Sequence, residues 1–231
     1  MKKTRKPGGK HQPKGLTVLH MDRDIVVVDK AAGLLTMGTE REKVNTAYYR
    51  LTDFVRKGNP KSRERVFIVH RLDREVSGIL VFARTPEAKE ALQSTWDDVE
   101  KHYLALVYGV PSERSGTITS YLEEHNVHSV RSTKDTRRGK LSHTHYEVLG
   151  QAREVTLLDI KLLTGRKHQI RVHLAENGLP IVGDGKYGGK RKGDRRLGLH
   201  ARSLRFPHPY TGEACFFETS VPPIFAGVGG I

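Results

Sequence analysis

The run Val69-His70-Arg71-Leu72-Asp73-Arg74-Glu75-Val76-Ser77-Gly78, followed by Ile79-Leu80-Val81-Phe82-Ala83, decides how this chain is read. The second part is a short unbroken apolar run with β-branched and aromatic residues, the pattern of a buried strand. The first part ends in the turn residues Ser77-Gly78 and holds one carboxylate, Asp73, between two cations, Arg71 and Arg74. A carboxylate on a tight connection ahead of a core strand is held at a fixed point by a rigid scaffold. Neighbouring positive charge favours the ionised form of a carboxylate, which suits a nucleophile or a base. A surface Asp in a charged turn accounts for the same ten residues, and both readings stand at this level.

Outward from this run, strands outnumber helices. Val18–His20, Asp24–Lys30, Val66–Val69, Ile79–Ala83, Tyr103–Tyr108, Gly116–Leu122, His143–Leu149, Val155–Leu163, Leu197–Phe206 and Ala214–Glu218 read as strands. Helices are predicted over Val44–Arg56, from Pro86 to about Asp98 behind a Thr85 cap, and over Gln169–Glu176, which Gly178 and Pro180 close. Strands that follow one another directly predict an α+β fold, with a mixed, largely antiparallel central sheet and flanking helices. No repeat and no composition shift splits the core, so one domain is expected from residue 16 to residue 231. Met1–Gly15 is rich in Lys, Gly and Pro with almost no apolar residues, and is expected to be a mobile basic arm.

The chain has 231 residues, 40 Lys and Arg against 26 Asp and Glu, and a formal net charge of +14. That excess points to a polyanionic partner, nucleic acid first and an anionic membrane surface second. No apolar stretch approaches the length of a membrane span. The single cysteine, Cys215, permits no internal disulfide and fits a reducing, cytoplasmic compartment; it is expected in a strand core rather than at a reactive site.

Two further segments carry chemistry. Leu163-Thr164-Gly165-Arg166-Lys167-His168-Gln169-Ile170-Arg171-Val172-His173 takes a strand end into a helix whose first turn is cationic, an arrangement that attracts phosphate. Interleaved apolar residues place Arg171 partly in the interior, where a guanidinium needs an anion, and Asp73 is the expected one. Lys101-His102-Tyr103 opens a strand; Tyr103 offers a ring for stacking on a base, and ordinary packing explains it equally well. His143 and His145 face one side of a strand without a third metal ligand. Gly183-x-Gly185 and Gly188-Gly189 lack the nucleotide-loop context, and Glu123-Glu124 reads as a solvated face.

Taken in order, these segments resemble the RluA family of RNA pseudouridine synthases. His70-Arg71-Leu72-Asp73 with Ser77-Gly78, Lys101-x-Tyr103 and Gly165–His173 carry the resemblance. Ile25–Leu35, Ile181–Tyr187, Leu199–Ala201 and His208–Glu213 extend it, so that it covers about Val18 to Glu218. Val76 and Lys167 stand where the family has Thr, and Ala31 where it has Pro.

The resemblance implies a pseudouridine synthase-like catalytic domain and a cofactor-free, metal-free isomerisation of uridine in ribosomal or transfer RNA. It implies catalytic roles for Asp73, Tyr103 and Arg171, and substrate contacts from His70, Arg71, Lys101, Arg166, His168, Gln169 and Ile170. No small S4 RNA-binding domain is seen beside the catalytic part. A monomer with RNA as its partner, and no protein partner, is expected. The alternatives are a non-catalytic RNA-binding or RNA-chaperone protein of the same fold, or a basic structural protein of the ribosome; retention of Asp73, Tyr103 and Arg171 weighs against both.

Overall fold

The computed structural model describes residues 12–126 and 129–228. The chain forms two compact units, Met1–Val99 with Leu204–Thr219, and Glu100–Ser203 with Ser220–Ile231. The sequence suggests no such division, because both units are strand-rich and one of them is completed by a segment far along the chain.

The first unit begins with an antiparallel pair, β1 (Leu16–Met21) and β2 (Ile25–Lys30). Asp22 closes the turn between them, its Oδ1 accepting the amides of Asp24 and Ile25, both at 2.8 Å. Helix α1 (Ala47–Val55) starts at Ala47 rather than Val44, because the Thr46 hydroxyl accepts the Tyr49 amide and sets the cap there. Strand β3 (Phe67–Ile68) is short and pairs with β4 (Ser77–Ala83), in which all seven residues are buried. β4 also runs antiparallel to β2, from Ile25 opposite Ala83 to Lys30 opposite Gly78.

Helix α2 (Pro86–Ser94) has the expected Thr85 cap and Pro86 in its first turn, and a short 3-10 turn, Trp96–Asp98, follows it. It stops at Ser94 instead of reaching Asp98. The Ser94 and Thr95 hydroxyls both bond back to the Ala91 carbonyl, and such side chains compete with the helical ladder. Ile25, Val27, Ile79, Val81 and Ala83 pack with Ala88 and Leu92 of α2 and with Leu204, Phe206 and Phe217. This is why the run after Asp73 is an interior strand.

The second unit holds β5 (Glu100–Tyr108), β6 (Ser115–Asn126), β7 (Ser129–Thr133), β8 (Lys140–Ala152), β9 (Val155–Leu162) and α3 (Gln169–Glu176). Its strand order is β5-β9-β8-β6-β7, with every ladder along it antiparallel. β7 is absent from the sequence reading. Its residues, Ser-Val-Arg-Ser-Thr, bury only Val130 and show no two-residue alternation, so only pairing with β6 reveals it. α3 matches its predicted bounds and buries six of its eight residues. Strand β10 (Leu199–Pro207) and strand β11 (Ala214–Glu218), which pair, complete the set. The fold class is α+β as expected.

Of the basic arm, residues 1–11 lie outside the described residues. Residues 12–15 belong to the first unit. The Gln12 side chain accepts the Val18 amide at 2.8 Å, the Lys14 carbonyl accepts Arg50 at 2.6 Å, and the Gly15 carbonyl accepts the Ala31 amide at 2.9 Å. Polar groups, not apolar side chains, tie this segment down, so composition does not reveal it. Among the described residues no helix is long and apolar enough to cross a membrane.

Candidate active site

The connection carrying Asp73 is clamped through its main chain. The Thr36 hydroxyl, from 36 residues away, donates to the Leu72 carbonyl at 2.8 Å and accepts the Leu72 amide at 3.1 Å. On the other side of Asp73, the Arg74 carbonyl accepts from the Gly33 amide at 2.7 Å and from the Lys30 ammonium at 3.3 Å. That ammonium also donates to the carbonyls of Leu34 at 2.8 Å and Ala31 at 3.1 Å. Three carbonyls thus meet the three donors of a lysine that is 0% exposed. The Asp73 carbonyl accepts the Val76 amide at 3.2 Å, and Gly78, at φ +116°, turns the chain into β4. Asp73 itself is half-buried and Arg71 is exposed.

His70 helps to build this frame. Its Nε2 accepts the Val81 amide at 3.0 Å, and its ring stacks on Trp96 with centroids 4.4 Å apart. An imidazole nitrogen that accepts an amide carries no proton, so in this arrangement the ring is the Nδ1–H form.

In the second unit, Arg171 on α3 is 4% exposed, and its guanidinium grips Asp184 bidentately. Nε lies 2.8 Å from Oδ2 and Nη2 lies 2.9 Å from Oδ1. Asp184 Oδ1 also accepts the amides of Lys186 at 2.9 Å and Tyr187 at 3.1 Å. Burial alone would raise the Asp184 pKa. The Arg171 guanidinium and the two amides outweigh it and hold the carboxyl below its ordinary value. The Tyr187 ring lies 5.3 Å beneath the Arg171 guanidinium, and its hydroxyl meets His168 Nδ1 at 2.7 Å and the Val130 amide at 3.1 Å. His168 sits just ahead of the helix with a left-handed backbone, φ +54°.

Asp184 and Tyr187 are the residues that sequence reasoning missed. They lie in Ile181–Tyr187, a segment that carried the resemblance without an assigned role. Nothing in the spacing pairs Asp184 with Arg171, 13 residues earlier. Thr36 and the Lys30 bond to Arg74 were missed for the same reason: each reaches main chain distant in sequence.

Lys101 and Tyr103 occupy alternate positions of β5 and so share a face; Lys101 is buried and Tyr103 half-buried. Gln169 corrects an expectation. It is 2% exposed, and both of its donors and both of its acceptor positions are engaged inside the unit. Its oxygen accepts from Thr164 at 2.9 Å and the Arg166 amide at 3.0 Å, and its nitrogen donates to the His143 carbonyl and the Thr144 hydroxyl, both at 3.0 Å. This amide builds the loop and has no bond left to offer a substrate. Ile170 is buried beside it, and Arg166 is exposed at the end of that loop.

The neighbouring His173, 1% exposed, lies between the Ser120 hydroxyl at 3.0 Å and the Thr144 hydroxyl at 2.9 Å. Burial pushes its pKa down to about 4. Glu123 and Glu124 are not simply solvated: they bond Arg131 at 2.9 Å and Lys167 at 2.6 Å. His143 and His145 bond Thr119 and Thr117 across the β6–β8 ladder.

One group, Asp22, Asp24 and His208, brings potential metal-ligand atoms within 4.8 Å of one another. His208 Nδ1 accepts the amides of Tyr210 and Thr211, which leaves the proton on Nε2, where it is donated to Asp22 at 3.2 Å. That tautomer offers no lone pair to a cation.

The family described as RNA pseudouridylate synthase matches residues 24–176 of this chain. An uncharacterized RNA pseudouridine synthase of Mycobacterium bovis is 40% identical over 212 residues, covering 86% of this chain and 67% of the relative. Ribosomal large subunit pseudouridine synthase D of Xanthomonas campestris pv. campestris is 36% identical over 224 residues, covering 90% of this chain and 66% of the relative. The chain therefore spans about two thirds of the length of these relatives. Among solved structures, human RNA Pseudouridylate Synthase Domain Containing 1 superposes with a TM-score of 0.73 at 27% identity, covering 93% of this chain and 87% of that one.

Proposed function

Because the chain belongs to the RNA pseudouridylate synthase family, we propose that it isomerises one specific uridine of a ribosomal or transfer RNA, with Asp73 as the catalytic carboxylate. In that isomerisation the N1–C1′ bond breaks, the uracil turns within the pocket, and a C5–C1′ bond forms as C5 gives up its proton and N1 gains one. The target base has to leave its stack to react. The observation that supports Asp73 most directly is the clamp on the main chain of Leu72 and Arg74, the residues on either side of it. Three steps are open to that carboxylate: attack at C1′, attack at C6, or removal of the C2′ proton to give a glycal.

Tyr103 is proposed to stack on the uracil, and Arg171, oriented by Asp184, to act as the catalytic cation. His70, Arg71, Lys101, Arg166 and His168 are proposed to position the RNA. The net charge of +14 suits a polyanionic substrate. The Xanthomonas relative carries the large ribosomal subunit in its name, so large-subunit ribosomal RNA is the first substrate to test.

The deciding experiment maps pseudouridine in ribosomal and transfer RNA from cells with and without the gene. One site is expected to disappear on deletion and to return with the wild-type chain but not with Asp73→Asn. Loss of no site, together with retained RNA binding, would favour the non-catalytic RNA-binding reading.

A further inference from the structure

The second unit has a cavity of about 520 Å³ between the turn that joins β7 to β8, residues 122–124 of β6 and the loop ahead of α3. Its lining includes four cations, Arg138, Lys140, Arg166 and Lys167, and two carboxylates, Glu123 and Glu124. The carboxylates are engaged: Glu124 with Lys167 at 2.6 Å, and Glu123 with Arg131 at 2.9 Å. The side chains of Arg138, Lys140 and Arg166 make no ion pair or hydrogen bond among the described residues and stay exposed.

The supports of these three cations are rigid. Gly139 closes the turn with its amide on the Asp135 carbonyl at 2.9 Å. A Cβ at Gly139 would lie 2.6 Å from Thr133 and 2.7 Å from Tyr121, so only glycine lets the turn press onto the β6–β7 ladder. Lys140 lies opposite Leu122 in the β6–β8 register, and Gln169 holds the Arg166 amide. Three cations with no ion-pair partner among the described residues line one cavity and raise each other's energy, and a phosphate relieves this.

We propose that this cavity is a binding subsite for a backbone phosphate of the RNA substrate, held by Arg138, Lys140 and Arg166, with Glu124 limiting its affinity. The proposal rests on the RNA reading above. The Lys167–Glu124 pair, 2.6 Å across, lies in the lining of this cavity. Glu124 keeps one cation of the wall partly neutralised and places a negative charge beside the entering phosphate.

The test uses the whole chain and two readouts: binding of labelled large-subunit ribosomal RNA across a salt series, and pseudouridine formation in RNA from a deletion strain. The double variant Arg138→Gln/Lys140→Gln is expected to raise KM, to leave the rate at saturating RNA unchanged, and to flatten the log–log salt dependence by about 1 per cation removed. Arg137→Gln, which removes a cation of the same turn outside the cavity lining, is expected to do much less. Glu124→Gln is expected to tighten binding at low salt; it decides the matter should the double variant melt early.

An unchanged salt slope in the double variant, or a loss no larger than that of Arg137→Gln, overturns the subsite. So does unchanged or weaker binding by Glu124→Gln. Failure of the wild-type chain to form any pseudouridine defeats the catalytic reading instead, while the salt slopes still judge the cavity.

Discussion

The Asp73 turn and the Arg171 helix are restrained at different groups. Around Asp73 the restraint falls on main chain: Thr36 holds both polar groups of Leu72, and Lys30 and Gly33 hold the Arg74 carbonyl. At Arg171 the restraint falls on the side chain itself, through a buried bidentate pair with Asp184. A group positioned by its backbone can lose its chemistry without disturbing the fold. A group positioned by a buried ion pair cannot, because removing either partner leaves an uncompensated charge.

The largest contrast is between Asp73→Asn and Asp184→Asn. The first is expected to abolish pseudouridine formation and to cost less stability than the second, because the main-chain bonds at Leu72 and Arg74 persist. The second is expected to cost about 3–5 kcal/mol of stability and to lower turnover with it. Denaturant melts beside single-turnover assays separate the two. An Asp73→Asn that loses as much stability as Asp184→Asn, or an Asp184→Asn as stable as wild type, would break the comparison.

His173 extends it to pH. Its folded pKa of about 4 lies below its ordinary 6.5, so the unfolded chain holds the extra proton between these values. The stability from keeping this ring neutral is complete above about pH 6.5 and is lost as pH falls toward 4. The loss amounts to about 3 kcal/mol for a shift of this size. His173→Asn should flatten this part of the stability–pH curve relative to wild type, while Asp73→Asn should leave it unchanged. Parallel curves for His173→Asn and wild type would remove His173 as the cause.

Thr36→Val tests the backbone clamp with a smaller effect. It keeps the shape and removes both bonds to Leu72, at a cost of about 1–3 kcal/mol for the polar groups left unpaired. Turnover at saturating RNA is expected to fall more than affinity, since only the placement of Asp73 changes. Equal losses in both would mean that the clamp supports the fold alone. The smallest expected change is in Tyr103→Phe, where RNA affinity should persist. Undiminished turnover then assigns Tyr103 to stacking, and reduced turnover assigns a role to its hydroxyl.

Much of the fold was legible where a local signal was strong. Thr85-Pro86 started α2, Gly178 and Pro180 closed α3, and the apolar run after Asp73 became a core strand. Signals that depend on a partner were not legible. β7 carries no alternation of its own, the anchoring of residues 12–15 is made by carbonyls, and α2 ended early through hydroxyls that the periodicity does not weigh. At the site, the need of Arg171 for an anion was readable from its apolar neighbours. That Asp184 supplies one was not, nor was the commitment of Gln169 to the loop rather than to a ligand.

By itself the sequence determined the strand-rich class of the fold, the family resemblance and the strongly basic charge. These follow from residue type, short-range periodicity and net charge, all of which are local or additive. The tertiary structure alone decided which groups stay available and which are consumed by the scaffold. Lys30, Thr36, Asp184 and Gln169 are bound by partners that folding brings to them, whereas Arg138, Lys140 and Arg166 meet no such partner among the described residues. A hydrogen bond or ion pair needs its two groups within about 3 Å, and between residues far apart in the chain only the folded backbone sets that distance.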